Sequence, residues 1–419
     1  MKSLLIIFTV ILFAFLMMRK KIPNLIAIPL MAILIAIFAG LPPMEILNDV
    51  IELGTINLSG AIITTIFGAV FAQVIYKTNI STSIIRYVAE FCGDNPILLA
   101  LSLTFATAFI FTSISGLGSV IMIGTIILPM FISIGINPTI SAILLIMGIN
   151  LGGLFNVANY SYYMQTLKVS QHSIRDCAFI LSITSLLIIV LFVLLNVRKN
   201  KSVFFCSVPL PVKRLRWYSL ISPIIPITLL FVWPLIFKIP INIRSAILIG
   251  ILYAIITTRP KKIVDILTES FLDGIKDASP AIALMIGIGI LIQTVTNEDV
   301  YSVVSPIILK IIPSKKLTYV LTFFLLSPLA LFRGPLNLFG LGSGIGRFMY
   351  ELNVLNPLAI LGALLSIGAI QGILDPTNTH NIWTANYVNT DTSKILKKAL
   401  PYVLLQVFMN LIIISVLFV

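Results

Sequence analysis

The chain has 419 residues, of which 58% are hydrophobic and only 10% are charged, and its mean hydropathy is +1.09. A soluble protein of this length needs far more polar surface, so the composition excludes a soluble domain and indicates a membrane protein. The formal net charge of +13 does not indicate nucleic-acid binding, because the basic residues lie between apolar runs, as membrane orientation signals do.

Three cysteines without a C-x-x-C spacing and two histidines do not predict a metal site. The ATP-binding pattern G-x-x-x-x-G-K-S/T is absent from the sequence, which argues against an ATP-driven pump. An intramembrane enzyme is also disfavoured, because the sequence has no H-E-x-x-H motif and no convincing pair of catalytic aspartates inside the apolar runs.

Apolar runs of roughly the length that crosses a hydrocarbon core recur along the chain and predict an all-α polytopic protein. Ten runs are interpreted as spans: 3–18, 22–40, 57–76, 139–163, 177–196, 218–237, 245–258, 279–296, 355–385 and 399–418. Four shorter amphipathic segments are predicted to lie on the membrane interface: 43–54, 79–93, 261–277 and 299–313. Two further apolar stretches, 97–134 and 317–353, are interrupted by glycine and serine and predict re-entrant helical hairpins.

Basic residues predict the orientation. With this topology, eighteen of the 28 lysines and arginines fall on one side, eight fall on the other, and Arg333 and Arg347 lie in the second hairpin. Because cytoplasmic loops are enriched in lysine and arginine, the richer side, with the basic linker 197–217, is predicted to be cytoplasmic. The expected location is therefore the inner, or cytoplasmic, membrane.

The two halves of the chain, 1–196 and 218–419, contain an internal repeat. Gly116-Leu117-Gly118-Ser119 matches Gly340-Leu341-Gly342-Ser343 at an offset of 224, and Gln73 matches Gln293 at an offset of 220. Asn137-Pro138 matches Asn356-Pro357, and Asn156 and Asn159 match Asp375 and Asn378, all at an offset of 219. Each half has five predicted crossings and one hairpin, and an odd number of crossings predicts inverted repeats, an arrangement common in secondary transporters.

Four stretches cannot be continuous helix: 112–119, 156–159, 333–343 and 375–381. Irregular backbone survives at membrane depth only inside protein or beside a cavity, and inverted symmetry would gather the four stretches near the midplane. Half-helix N-termini attract anions, whereas freed carbonyls and side-chain oxygens suit a hard cation such as Na⁺.

The sequence therefore predicts a substrate site and a site for a coupling ion. The candidate substrate-binding residues are Ser113, Ser115, Gly116, Gly118, Ser119, Asn156, Asn159, Arg333, Asn337, Gly342, Ser343, Thr377, Asn378, Thr379 and His380. The candidate residues for the coupling ion are Asp375, Asn156, Asn378 and Ser119.

Several of these residues have alternative roles. Arg333 has no acidic neighbour, and its planar guanidinium suits a carboxylate, but it can also snorkel to the interface or cap a helix. Asp375 can ligate Na⁺, carry a proton or cap the helix after Pro376. His380 can relay a proton, donate to a substrate or make a local hydrogen bond. The asparagines and threonines can simply satisfy broken backbone.

At these residues the chain resembles the ion transporter superfamily, which includes divalent-anion/sodium symporters and citrate, gluconate and C4-dicarboxylate permeases. The resemblance lies in two hairpins, each followed by a broken span, and in Asp375-Pro376-Thr377-Asn378-Thr379. It implies substrate and cation sites at the hairpin tips and broken helices, a homodimer and an elevator-like movement. The chain lacks a Ser-Asn-Thr triplet at both tips, which leaves proton coupling open beside Na⁺ coupling.

The predicted function is secondary transport of a small organic anion, a di- or tricarboxylate above all, coupled to Na⁺ or H⁺ and needing no other cofactor. The alternative is an antiporter or exporter of another anion or metabolite on the same fold, including arsenite-type or Na⁺/H⁺ exchange. The lipid bilayer, the substrate anion and a second copy of the chain are the expected partners, and nucleic acid is not one.

Overall fold

The computed structural model describes residues 2–92, 95–197, 215–310, 312–313 and 315–419. All regular secondary structure in these ranges is helical. Most of the predicted linker, residues 198–214, lies outside the described residues.

Within each described range the helices follow one another with short connections. The α-helices are α1 (Lys2–Met18), α2 (Asn24–Ala39), α3 (Pro43–Glu45), α4 (Leu53–Asn57), α5 (Ser59–Lys77), α6 (Ile80–Cys92), α7 (Pro96–Phe111), α8 (Leu117–Ser133), α9 (Pro138–Leu154), α10 (Val157–Leu167), α11 (Gln171–Asn196), α12 (Ile225–Phe231), α13 (Trp233–Phe237), α14 (Ile243–Thr258), α15 (Ile263–Thr296), α16 (Glu298–Ile308), α17 (Lys316–Leu326), α18 (Leu341–Glu351), α19 (Pro357–Ala369), α20 (Thr379–Tyr387) and α21 (Thr392–Phe418). Segments Ile46–Glu52 and Ile370–Leu374 are π-helical, and Trp217–Ile224, Pro260–Lys262 and Ser327–Arg333 are 3₁₀-helical.

Helices long and apolar enough to cross a membrane make this a multi-pass membrane protein. In the described ranges there are six: Pro43–Lys77, Gln171–Asn196, Pro260–Thr296, Lys316–Arg333, Pro357–Tyr387 and Thr392–Phe418. The bent pair α9 and α10 makes a seventh if it is counted as one span. Further apolar helices are shorter, including α1, α2 and α14, so the count of ten spans stays a prediction.

Three predicted boundaries were wrong. Segments 43–54 and 261–277 are not separate interfacial pieces, because helical structure runs on from each into the following span; in α15 it continues past Pro280. The predicted span 218–237 is not one helix but a 3₁₀ segment followed by α12 and α13. Pro223, Pro226 and Pro234 explain the interruption, since proline removes a helical hydrogen bond and clashes with the preceding turn.

Identical caps start the helices after the two hairpins. Asn137 and Asn356 each accept a hydrogen bond at 2.9 Å from the backbone N–H two residues later, and each is followed by proline at the first helical position. This is a favoured N-terminus, because the asparagine satisfies one orphan N–H and proline lacks the other. The matching Asn-Pro pairs therefore begin α9 and α19.

The crossing of α5 and α15, with the short helix α4 before α5, shows reciprocal contacts. Asn57 donates to Gln293 at 3.1 Å, and Gln73 donates to Asp277 at 2.7 Å. The two contacts correspond, because Asp277 lies 220 residues after Asn57 and Gln293 lies 220 residues after Gln73. The glycines repeat the pattern: a Cβ at Gly54 would lie 2.7 Å from the backbone of Ile290, and a Cβ at Gly274 would lie 2.7 Å from the backbone of Val70. The missing side chains let the helices approach closely, as small residues do at membrane helix interfaces.

Thr65 in α5 contacts the residue that corresponds to it in the other half of the chain. Its hydroxyl donates to the sulfur of Met285 at 3.8 Å, and the two residues are 220 apart. A residue that contacts its own counterpart lies on a two-fold axis, by the same reasoning that applies to symmetric dimer interfaces.

Candidate functional site

The first broken span is held open by Asn156. α9 and α10 meet there at an angle of 57°. The Asn156 amide group donates to the carbonyls of Phe111 and Ile114 in the first hairpin turn, at 2.9 Å each, and its oxygen accepts from the N–H of Ala158 at 3.1 Å. Asn156 is 1% exposed, so its side chain caps α10 and fastens the break to the turn between α7 and α8.

Asp375 performs the corresponding task in the second broken span, with the opposite hydrogen-bond polarity. One carboxylate oxygen accepts from the backbone N–H of Arg333 at 3.1 Å. The other accepts from the backbone N–H of Thr377 at 2.8 Å and from its hydroxyl at 2.7 Å. Asp375 therefore binds the second hairpin turn to the break that separates the π-helical segment Ile370–Leu374 from α20.

The second hairpin turn has an unusual backbone. Phe332 and Arg333 both have positive φ angles, 55° and 57°, which non-glycine residues rarely adopt. The Asn337 side chain accepts from the N–H of Phe339 at 2.9 Å, its carbonyl accepts from the N–H of Gly342 at 2.9 Å, and the Ser343 hydroxyl donates to the carbonyl of Gly340 at 2.6 Å. These groups are used to shape the turn.

A cavity of about 240 Å³ lies between the two breaks. α9, α10, α19, the π-helical segment, the N-terminus of α20 and the tip of the second hairpin form its wall. The lining residues are Ile146, Ile149, Asn150, Gly153, Leu154, Asn159, Tyr163, Leu338, Phe339, Leu365, Gly368, Gln371, Gly372, Asn378 and His380.

The two halves contribute matching residues to this wall. Four pairs are separated by 219 residues, the offset of the internal repeat at this point: Ile146 and Leu365, Ile149 and Gly368, Gly153 and Gly372, and Asn159 and Asn378. The hairpins contribute unequally, because Leu338 and Phe339 of the second hairpin line the cavity, whereas no described residue of the first hairpin does.

Several polar groups in the wall have no described partner. Tyr163 is only 3% exposed, and no hydrogen bond of its hydroxyl is found among the described residues. The same holds, within those residues, for the side chains of Asn150, Gln371 and His380. Phe339 stands beside Tyr163 with ring centroids 6.4 Å apart, and it stacks on Tyr162 at 5.2 Å. The cavity therefore offers free hydrogen-bonding groups beside aromatic faces.

Three of the predicted substrate residues, Asn159, Asn378 and His380, meet in this wall. Asn150, Gln371 and Phe339 were missed by sequence analysis. The repeat offered a signal only for the neighbourhood, since Asn150 and Gln371 each lie within one helical turn of Gly153 or Gly372.

The other predicted residues lie elsewhere. Ser113 donates to the carbonyl of Pro223, Ser119 donates to the carbonyl of Ser115 at 2.8 Å, and Thr379 is exposed. A Cβ at Gly118 would lie 2.5 Å from a carboxylate oxygen of Asp277, so this end of the first hairpin faces α15. Gly116 has a φ of 88°, which glycine adopts readily because it has no side chain, and this conformation forms the turn.

Arg333 approaches the site through its backbone. Its guanidinium is not part of the cavity wall, and no partner for it is found among the described residues. Arg347, by contrast, forms the ion pair with Glu351 that the four-residue spacing predicts, at 2.8 Å.

The four candidate residues for the coupling ion do not share a described pocket. Asn156 and Asp375 are each 1% exposed and are bound to different hairpin turns. Asn378 donates to the carbonyl of Gln371 at 3.4 Å and accepts from the N–H of His380 at 3.1 Å, which leaves its amide largely engaged in capping α20.

Two solved structures share this architecture. The YdaH transporter of Alcanivorax borkumensis aligns with a TM-score of 0.58 at 12% identity, over 89% of this chain and 87% of that chain. MtrF of Neisseria gonorrhoeae, which represents a class of antimetabolite efflux pumps, aligns with a TM-score of 0.61 at 12% identity, over 89% of this chain and 83% of that chain. No protein-family model and no curated protein matches the sequence.

The fold and the site thus define a multi-pass membrane protein with the architecture of these two transporters. At 12% identity the likeness is one of fold. It does not support the narrower assignment to the ion transporter superfamily.

Proposed function

We propose that the protein is a secondary active transporter that binds a small organic anion, a carboxylate, in the cavity between the two broken spans. The observation that carries the proposal is the position of the cavity, which touches the first turns of both half-helices, α10 and α20, and is lined by matching residues of both halves. Half-helix N-termini facing a midplane cavity favour an anionic group.

The transport cycle follows from this arrangement. Reciprocal contacts at a 220-residue offset support two inverted repeats, and exchange of their conformations would open the cavity to each side in turn. We further propose that the protein is a homodimer of the inner membrane, that its transport is coupled to Na⁺ or H⁺, and that it moves in an elevator-like manner. Kinship to the ion transporter superfamily is part of the same proposal.

Uptake by purified protein in proteoliposomes tests the proposal. Succinate, citrate and benzoate are offered with an inward Na⁺ or H⁺ gradient, and saturable, gradient-dependent uptake is expected for at least one of them. The absence of uptake for all three under both gradients would contradict carboxylate transport.

Gly368→Leu links that uptake to the cavity. Gly368 lines the cavity and a Cβ there meets nothing within 4 Å, so a leucine at this position would occupy cavity space. We expect Gly368→Leu to reduce uptake at least tenfold with unchanged thermal stability, and the matched Gly368→Ala to reduce it less. Full uptake by Gly368→Leu would place the substrate elsewhere.

A second function, export of an organic metabolite, is favoured by the shared fold with MtrF, an antimetabolite efflux pump. Accumulation of labelled substrate by inverted but not by right-side-out vesicles would support export. Arg333→Ala tests the sequence prediction that its guanidinium binds carboxylate. Because the guanidinium lies outside the cavity wall, we expect wild-type uptake, and lost uptake in a stably folded variant would return Arg333 to the substrate site.

A further inference from the structure

We infer that the cavity accepts an organic anion with one negative charge and hydrogen-bonding groups, and that it discriminates against di- and tricarboxylates. This inference rests on the proposed function and narrows its substrate class. The sequence alone predicts a di- or tricarboxylate as the substrate, and the inference differs from that prediction.

The charge of the wall is the first argument. Among the described residues that line the cavity there is no lysine, arginine, aspartate or glutamate. A buried ionic group is costly unless an opposite charge or several hydrogen bonds compensate it. The guanidinium of Arg333, the basic residue of the second hairpin that the sequence predicts to bind substrate, is not in the wall.

The N-termini of the half-helices α10 and α20 supply positive partial charge that can compensate a substrate anion. Asn159 in the first turn of α10, and Asn378 and His380 at the start of α20, border the cavity. Each helix N-terminus carries a partial positive charge of about half a unit, so two of them balance roughly one negative charge. A second carboxylate would have no counterpart.

Free polar side chains make up the rest of the recognition. The Tyr163 hydroxyl, in a side chain that is 97% buried, and the amides of Asn150 and Gln371 have no partners among the described residues. These groups line the cavity, so a substrate that supplies hydroxyl or amide groups can pair with them and gains over one that does not. The volume of about 240 Å³ limits the substrate to a small molecule.

Succinate, succinamate and succinamide test the inference, because they share one carbon skeleton and differ by one charge at each step. Their affinities for the purified full-length protein are measured by thermal shift and by competition for uptake at pH 8, where an ordinary histidine is neutral. We expect succinamate to bind at least about tenfold more tightly than succinate or succinamide, the effect of one uncompensated charge or of its loss.

Gln371→Lys provides a second measurement that does not depend on loss of activity. The lysine adds one positive charge to the wall, so we expect the ratio of succinate to succinamate affinity to rise at least about tenfold. Gln371→Met, of similar length and uncharged, is the matched control for loss of the amide, and the rise in Gln371→Lys should exceed any change in the ratio that Gln371→Met produces.

The outcomes are distinct. Equal or tighter binding of succinate by the wild type, or an unchanged ratio in a folded Gln371→Lys variant, overturns the single-charge inference but leaves carboxylate transport standing. Equal binding of neutral succinamide overturns the role of the half-helix N-termini. Failure of every carboxylate, benzoate included, to bind or compete overturns the proposed function itself.

Discussion

Asn156 and Asp375 occupy matching positions in the two halves, and each fastens a broken span to a hairpin turn. Asn156 donates two hydrogen bonds to carbonyls, whereas Asp375 accepts the N–H groups of Arg333 and Thr377. The two turns present opposite backbone groups, and this difference explains why one position is an amide and the other a carboxylate.

Asp375→Asn tests this structural role. The new amide group would point an N–H at the N–H of Arg333 or Thr377, and a buried unsatisfied donor costs about 1–3 kcal/mol. We expect a lower melting temperature for the detergent-purified variant, together with loss of gradient-driven accumulation. Thr379→Ala, at an exposed position, is the control. Wild-type stability with lost accumulation would instead assign Asp375 to ion coupling.

At the scale of elements, the crossing of α5 and α15 depends on glycine. Gly54 lies just before α5, in α4, and Gly274 lies in α15; in both, a Cβ would meet the backbone of the opposite element at 2.7 Å. Backbone atoms cannot rotate away as a flexible side chain can, so the elements would have to separate.

Gly274→Ala should therefore lower the free energy of unfolding by about 1–3 kcal/mol, as overpacked sites do. Gly54→Ala should have a similar effect if the two positions are true counterparts. Gly153→Ala is the matched control, because a Cβ there meets nothing within 4 Å and alanine favours helix. Thermal unfolding in detergent measures all three, and an unaffected Gly274→Ala would show that the crossing relaxes freely.

The hairpins show a second feature at this scale. The second hairpin closes on the cavity through Leu338 and Phe339, and the hydroxyl of Tyr162 in α10 donates to the carbonyl of Leu338 at 3.0 Å. The first hairpin tip faces Asp277 of α15 instead. The two hairpins thus take different positions relative to the cavity.

At the scale of the whole molecule, contacts between the two halves recur at nearly the same sequence offset. Thr65 and Met285 meet at the crossing of α5 and α15, and Ser185 and Gln406 meet at 2.8 Å between α11 and α21, at an offset of 221. The cavity, with its four matched pairs, fits the same relation.

The orientation of the molecule in the membrane is tested by Cys206, which lies in the linker outside the described residues. In a variant with Cys92→Ser and Cys177→Ser, a membrane-impermeant maleimide should label Cys206 in inverted vesicles and spare it in right-side-out vesicles, because the basic linker is predicted to be cytoplasmic. Cys177 is buried, so its replacement removes little background. Labelling in right-side-out vesicles would reverse the orientation.

The sequence by itself determined the membrane class and the places where helices break. Hydrophobic runs, Pro376, and the Asn-Pro pairs act through local backbone chemistry, so the breaks at 156 and 375 and the starts of α9 and α19 could be predicted. The repeat offset also survived as a spatial relation in the α5–α15 contacts.

Only the tertiary structure decided which polar residues face the cavity. Asn156 and Asn159 are three residues apart and chemically identical. Asn156 forms its hydrogen bonds with a hairpin turn, whereas Asn159 lines the cavity wall. Asn156 reaches the carbonyls of Phe111 and Ile114, more than forty residues earlier, whereas Asn159 donates to the carbonyl of Gly153 at 3.2 Å within its own broken span. Because an asparagine caps, packs or binds according to what stands opposite it, local sequence cannot assign these roles, and packing must.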